Sequence, residues 1–587
     1  MLRVSCKRVP QKFRGDNVSD NAREGALSAL RSPSRTSPLS SVSRLRRLLA
    51  LEAVDVGTLA WYSAAIGLLS LAVPVAVQSL VNTVAFTALA QPILVLSLLV
   101  MLGLSLAAWL RALRLQTLER LQQRILVRAT HDAIVRVTRA RLSALRRQGG
   151  PELMNRFFEV VTIQKAAAKL LVDGMSIVLQ SAVSLLLLAF YHPALLAFDV
   201  VLIIAIGIVI VPLGRGGIET AAEESKKKYR IAAWLEDVAA GVRSFKLVGA
   251  DQQAFSRANA LAADYVHSRR KQFKVLLRQT VASYVVQIFA VSGLLGLGGT
   301  LVLRGELTLG QLVAAELVVA GVTTGLTKLG QHLESFYDLT ASVDKLGAIV
   351  DLEEEPVTGQ LEPPASNEGL TLSFEGVSFS HSEGGRGLSN VSFTLPPHAT
   401  MVVWGHNASG KSTLAELCIG LHLPDAGAIR FNGVDIRDLA LDKLRREVTL
   451  VSGTEIFDGT VADNLLLGWP AAQADLIGAL RAAALDAEVA ALPNGISTPL
   501  GHTGVRLTSS QAARLMLARA LTHKPQLIVI DEALDGLDRE TIQQVLDGIR
   551  RYAPHTSVIV LTSREDLRVP DSRSLRLIDG RLTGELS

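Results

Sequence analysis

The chain has 587 residues, with 60 Lys+Arg against 54 Asp+Glu, a formal charge of +6, 49% hydrophobic residues and a mean hydropathy of +0.33. That is too apolar for an ordinary soluble enzyme and too charged at the ends for a pure membrane bundle, so a membrane part joined to a soluble part is expected. The charge is uneven: +8 over residues 1–50, +11 over 51–330 and −13 over 331–587. The two cysteines, Cys6 and Cys418, lie far apart, which excludes a disulfide framework or metal-ligand spacing and suits a reducing cytosol. Cys418 falls in an apolar helical run and reads as a small core residue.

Residues 1–45 are rich in Ser, Arg and Pro, poor in acids and without periodicity, and are expected to form a disordered basic cytoplasmic tail. The first apolar run starts after residue 47 and is too long for a cleaved secretory signal; an organelle transit peptide shares the composition and is the alternative. From Val56 to Leu110 there is no charged residue, which leaves room for two spans of about 20 residues each, near 57–82 and 92–112. Apolar stretches at 174–191, 193–213, 279–303 and 308–330 bring the count to six. The links within pairs are short. Those between pairs are long and basic, with 12 Lys/Arg against 4 acids over 111–168 and 13 against 7 over 214–280. Positive links stay in the cytoplasm, so both termini and both long links are placed there. The transmembrane domain is assigned to 46–345 and a linker to 346–369.

From Ile93 to Gln148 there is no proline and one glycine. About 55 helical residues would run roughly 80 Å, beyond a core of roughly 30 Å, so the helix is expected to continue into the cytosol until Gly149-Gly150-Pro151. A second excursion, Pro212 to about Leu277, turns near Gly241 and Gly249. Two ionisable groups fall inside apolar stretches. Asp199 is read as lying toward a span end, hydrated; Glu316 is read either as bonding a neighbouring helix or as lining a substrate path.

Residues 370–587 change to alternating strand, turn and helix. A short apolar strand, Thr400 to Trp404, leads into Gly405-His406-Asn407-Ala408-Ser409-Gly410-Lys411-Ser412-Thr413 and a helix. This is the phosphate-loop pattern in its required context. Glycines let backbone N–H groups approach phosphate oxygens, Lys411 bridges the β- and γ-phosphates, and the Ser412 hydroxyl ligates Mg²⁺. A second strand, Leu527 to Ile530, ends in Asp531-Glu532. Asp531 is expected in the Mg²⁺ shell and Glu532 as the base that orients or deprotonates the attacking water; Lys411 and Glu532 are the catalytic candidates. The fold class is therefore an all-α six-helix transmembrane domain with long cytosolic helical extensions, followed by an α/β P-loop NTPase cassette.

Six spans with long helical excursions, followed by these motifs, resemble an ATP-binding cassette half-transporter of the exporter type, from about residue 46 to the end. The resemblance implies ATP and Mg²⁺ as cofactors, ATP hydrolysis driving export, and a dimer of two such chains, each phosphate loop facing the partner's signature segment. It also matches Asn155 to Thr162 and Gly241 to Gly249 to the family's coupling helices, His381 to its adenine-stacking aromatic and Asp535-Gly-Leu-Asp538 to its D-loop. Three motifs depart from the pattern. The signature is Leu507-Thr508-Ser509-Ser510-Gln511, the glutamine after the preceding strand is Ser452, and the switch histidine is Ser563. Two Cβ atoms in the signature crowd a place where glycine permits close approach, and serine is a poor substitute for imidazole at a γ-phosphate. Slow hydrolysis is expected. The alternatives are a nucleotide-binding sensor or assembly subunit that moves no cargo, and the degenerate half of a heterodimer. The weak similarity around Asn155 to Gln164 and Phe336 to Leu346 leans toward peptide or protein secretion. No nucleic-acid module accompanies the basic residues. A bacterial inner or plasma membrane is the expected location, with the lipid bilayer as a partner.

Overall fold

A computed structural model describes residues 41–86, 91–148, 150–355, 359–363, 369–381, 387–501, 504–567 and 569–585. The chain divides into two compact units between Glu354 and Glu355. Residues 1–40 of the expected tail lie outside the described residues.

The first unit is helical: α1 (Ser41–Leu51), α2 (Ala53–Ser70), α3 (Ala72–Phe86), α4 (Gln91–Arg139), α5 (Leu142–Gln148), α6 (Gly150–Asn155), α7 (Glu159–Lys169), α8 (Met175–Tyr191), α9 (Pro193–Ile210), α10 (Gly217–Ala240), α11 (Val242–Val248), α12 (Asp251–Leu303), α13 (Leu309–Thr327) and α14 (Leu329–Val350). Six helical stretches among the described residues are long and apolar enough to cross a membrane. The 49 residues of α4 and 53 of α12 make rods of about 74 and 80 Å at 1.5 Å per residue, so both outrun a bilayer. The step between α2 and α3 at Leu71 follows from Pro74, which has no N–H to give the preceding turn.

Three places depart from expectation. Residues 41–45, read as tail, begin α1, because Leu45 is buried in a cluster with Val343 and Leu346 of α14 and Arg44 donates to Asp351 at 2.6 Å. Arg44 crosses α14 where a Cβ on Gly347 would lie against its guanidinium, so that glycine makes the approach possible. The rod expected over 93–148 ends at Arg139 instead. Ala140 forms a β-bridge with Glu354, the Arg141 N–H donates to Glu353 O at 2.7 Å, and Arg136 pairs with Glu354. Asp199 is not hydrated at a span end: it is 3% exposed, on the face of α9 that carries buried Leu195 and Leu202, and neither carboxylate oxygen has a hydrogen-bond partner.

The second unit holds β1 (Leu372–Phe379), β2 (Leu388–Leu395), β3 (Thr400–Trp404), α15 (Lys411–Cys418), β4 (Ala426–Phe431), β5 (Val434–Asp435), α16 (Leu441–Glu447), β6 (Val448–Ser452), β7 (Gly459–Thr460), α17 (Val461–Leu466), α18 (Gln473–Ala482), α19 (Asp486–Ala490), β8 (Pro499–Leu500), α20 (Ser509–Leu521), β9 (Leu527–Asp531), α21 (Arg539–Tyr552), β10 (Ser557–Thr562), β11 (Ser572–Ile578) and β12 (Arg581–Glu585). Its main sheet runs β12-β11-β3-β10-β9-β6, parallel except for β12. An antiparallel sheet, β2-β1-β4-β5, stands beside it. The central strands are apolar throughout because both faces are covered. Met401, Val403, Leu527, Val529, Ile559 and Leu561 face a core completed by Leu414, Leu417 and Cys418 of α15. Their alternates, Val402, Ile528, Ile530, Val558 and Val560, face a second core with Leu515, Leu517 and Leu521 of α20. Cys418 is fully buried, as its helical context predicted, and burial pushes its thiol up to about 12.

Candidate nucleotide site

β3 lies between β10 and β11, and the loop that leaves its carboxyl end is held by backbone bonds: Gly405 N–H to Thr562 O at 3.1 Å and Ser409 N–H to His406 O at 3.1 Å. A Cβ on Gly405 would stand 2.5 Å from Ser409 Oγ, and Gly410 caps α15 at φ +106°, so each glycine is required by geometry. Ala408 adopts φ +62° between them. His406, Asn407 and Ala408 form an exposed crest. Lys411, 3% exposed, folds back so that Nζ donates to the Gly405 and His406 carbonyls at 2.6 and 2.9 Å and sits 3.1 Å from Glu532 Oε1. Its charge is thus held inside the loop where phosphate oxygens would be offered. Ser409 Oγ is buried there with no hydrogen-bond partner. His381 is brought to the same place, with Nε2 3.1 Å from Thr413 Oγ1 and its ring edge-on to Phe379 at 5.0 Å.

Asp531 ends β9 in register with Ser452 of β6 and Leu561 of β10. Burial pushes its carboxyl above the usual range, and a bond from the Ser412 side chain works against that shift. Its Oδ1 has no partner. A hydroxyl joined to a carboxylate with one oxygen to spare fits a hard, oxygen-seeking divalent cation, whose shell phosphate and water would complete. Among the described residues no cluster of three His, Cys, Asp or Glu could hold a metal by protein ligands alone. Glu532 adopts φ +55°, a strained backbone for a non-glycine residue, fixed by its N–H donating to Leu561 O at 3.0 Å. The strained turn leaves its side chain 44% exposed while one oxygen still reaches Lys411.

The altered positions are engaged elsewhere or open. Ser452 is exposed at the strand end. Ser563 donates its hydroxyl and its N–H to Asp535 Oδ2 at 2.7 and 2.8 Å, and Thr562 donates to Oδ1 at 2.5 Å. This clamp between Asp535 and the end of β10 pairs residues far apart in sequence, and the spacing alone could not have found it. Thr508 is the N-cap of α20 in a capping box: its hydroxyl accepts from Gln511 N–H at 3.2 Å, and Gln511 Oε1 accepts from Thr508 N–H at 2.9 Å. Gln511 and Arg514 also donate to Glu488 at 2.6 and 2.7 Å, which ties the cap to α19. Ser509 is exposed at this helix start and Ser510 is half-buried.

Two family profiles match: "ABC transporter transmembrane region" over residues 60–326 and "ABC transporter" over 388–535. The chain belongs to the ABC transporter family. Among relatives, the mycobactin import ATP-binding/permease protein IrtB of Mycolicibacterium smegmatis is 33% identical over 293 residues, 49% of this chain and 50% of that one. The ATP-dependent lipid A-core flippase of Chromobacterium violaceum is 28% identical over 343 residues, 58% of each. The chain spans about half the length of the curated relatives it matches first. A solved bacterial Atm1-family ABC exporter with ATP bound shares the fold, with a TM-score of 0.80, 22% identity and coverage of 92% of this chain and 95% of that one.

Within this ABC cassette the two recognition elements stand apart. The phosphate loop opens α15 on one face of the main sheet, whereas Thr508 to Gln511 open α20 on the other. Within one chain the two helices thus pack on opposite faces of the sheet.

Proposed function

We propose that the chain is one half of an ATP-driven exporter, acting as a dimer of two copies in which each ATP lies between one phosphate loop and the other copy's signature segment. The observation that carries this reading is the placement of α15 and α20 on opposite faces of one sheet, which keeps both elements of a single chain from closing on the same nucleotide. The short links between paired spans, at His192 and between Leu303 and Leu309, favour export over import fed by a binding protein. In this reading residues 1–40 are a cytoplasmic tail, 41–345 the helical membrane domain beginning with α1, 346–369 a linker and 370–587 the cassette, in a bacterial inner membrane with the cassette and both termini cytosolic.

The chemistry follows from the residues. Lys411 neutralises the β- and γ-phosphates as it leaves its own carbonyls, and the loop N–H groups and Ser409 donate to the remaining oxygens. Ser412 and Asp531 would hold Mg²⁺, which neutralises charge on the phosphates when bound. Glu532 accepts a proton from water as the water oxygen attacks the γ-phosphorus and ADP departs. His381 stacks on adenine. Ser452 and Ser563 stand where the family carries a glutamine and a histidine. Ser563 spends its hydroxyl on Asp535, so hydrolysis is slow.

Two measurements test this. In a Cys6→Ser/Cys418→Ser background, Asn407→Cys with Thr508→Cys should yield a disulfide-linked dimer on oxidation with ATP present; its absence, with both thiols titratable, removes the sandwich. In inside-out vesicles, a panel of an amphipathic lipid, a siderophore and a peptide should include a cargo moved by the wild type and not by Lys411→Ala. Equal movement by both sinks ATP-driven export.

A further inference from the structure

A groove of about 690 Å³ runs between α9 and α12 at the end of the spans nearest the α9–α10 link. Its walls are apolar, with Ala205 and Ile208 from α9 and Val281 and Val285 from α12, and Ile208, Val281 and Val285 are 51%, 50% and 44% exposed. At one end α12 contributes Lys274 and Arg278, one turn apart, and no acidic side chain lines the groove among the described residues. Arg278 is fixed there by donating through Nε to Leu213 O at 2.9 Å and through Nη2 to Arg215 O at 3.2 Å. These bonds cap the carbonyls that follow α9, and among the described residues no carboxylate forms an ion pair with Arg278.

The two halves of the groove call for different partners. Water would leave apolar walls unpaid by any contact and would not neutralise two adjacent cations, whereas a molecule with acyl chains and an anionic head satisfies both ends. The cations stand just before the apolar stretch that starts at Gln279, so a span beginning there would carry them at its headgroup end, and the proposed cytosolic placement of the basic link between α9 and α12 assigns that end to the cytosolic leaflet. We infer that this groove is a resident binding site for an anionic phospholipid of the cytosolic leaflet, its phosphate between Lys274 and Arg278 and its acyl chain along Ile208, Val281 and Val285. The site lies outside the nucleotide chemistry and goes beyond the transport reading; it rests on that reading only for the cytosolic placement of the α9–α10 link.

The test uses the full chain purified in mild detergent after incorporation into nanodiscs of phosphatidylcholine, with or without phosphatidylglycerol, and counts retained lipid by native mass spectrometry. Wild type should retain phosphatidylglycerol over phosphatidylcholine. Each cation near the surface contributes about fivefold, so Lys274→Gln should lower that preference about fivefold. Ala282→Trp, which fills the groove, should lower total retained lipid. Equal retention of both lipids by wild type overturns the site, as does a Lys274→Gln preference equal to wild type. If Ala282→Trp weakens dimerisation and leaves lipid retention unchanged, a second copy rather than lipid fills the groove, and the inference also fails.

Discussion

The phosphate loop and the signature segment both begin helices of the same cassette, yet one is finished within the chain and the other is not. Around α15, Lys411 is buried and bonded to two loop carbonyls and Glu532, while Ser409 Oγ and Asp531 Oδ1 are buried without partners. Beside these buried groups the loop crest at His406 to Ala408 and the Glu532 side chain are open to solvent. Around α20 the cap is locally complete, with Thr508 and Gln511 bonded to each other and Gln511 to Glu488, but Thr508 and Ser509 face outward. The first element is built to receive phosphate. The second is a helix end fixed by its own cap, which the proposed dimer would bring to the other copy's nucleotide.

Four substitutions and one pH experiment bear on that contrast, from the largest effect to the smallest. Glu532→Gln keeps the strained turn and removes the base, so steady-state ATP hydrolysis should fall by about 10²- to 10⁴-fold while ATP still binds. A loss of binding as well would mean that Glu532 serves only to hold Lys411. Lys411→Ala should lower hydrolysis by about 10²- to 10³-fold and weaken nucleotide affinity, seen by fluorescent-nucleotide titration. Ser563→His should raise hydrolysis about tenfold, a part of what one well-placed donor supplies; an unchanged rate would show that neither the missing imidazole nor the Ser563 hydroxyl's bond to Asp535 sets the pace. Thr508→Ala removes the cap hydroxyl and should cost about 1 kcal/mol in thermal stability. A smaller change would show that Glu488 alone holds the start of α20.

The pH experiment concerns Cys418 and stands apart from the four substitutions. Its folded thiol is raised to about 12 from an ordinary value of 9.0. An unfolded chain therefore ionises first as pH rises. The contribution of Cys418 to stability is full below about pH 9 and declines between 9 and 12, a slope that Cys418→Ala should abolish in urea melts. In a Cys6→Ser background the folded protein should also resist maleimide at pH 8. Rapid labelling would place Cys418 outside the core.

Much of this was legible in residues that act locally. Apolar length gave six spans, since a helix crosses a bilayer by its own hydrogen bonds. Gly405 to Thr413 and Asp531-Glu532 gave the nucleotide site, because strand, loop and helix are neighbours in the chain. What the sequence hid were contacts across long separations. The break after Arg139 has no glycine or proline to announce it, and depends on Glu353 and Glu354 returning beside Ala140 and Arg141. Asp199 reads as an ordinary polar residue near a span end, and only the packing of Leu195 and Leu202 on the same face shows it sealed.

By itself the sequence determined which segments are helix, span or phosphate loop, because periodicity, apolar length and glycine spacing are properties of a few consecutive residues. Only the tertiary structure decided that Ser563 is committed to Asp535, that Lys274 and Arg278 close one end of an apolar groove, and that α15 and α20 stand on opposite faces of one sheet. Each of those depends on which distant side chains a fold brings within a few ångströms, and no local pattern encodes that.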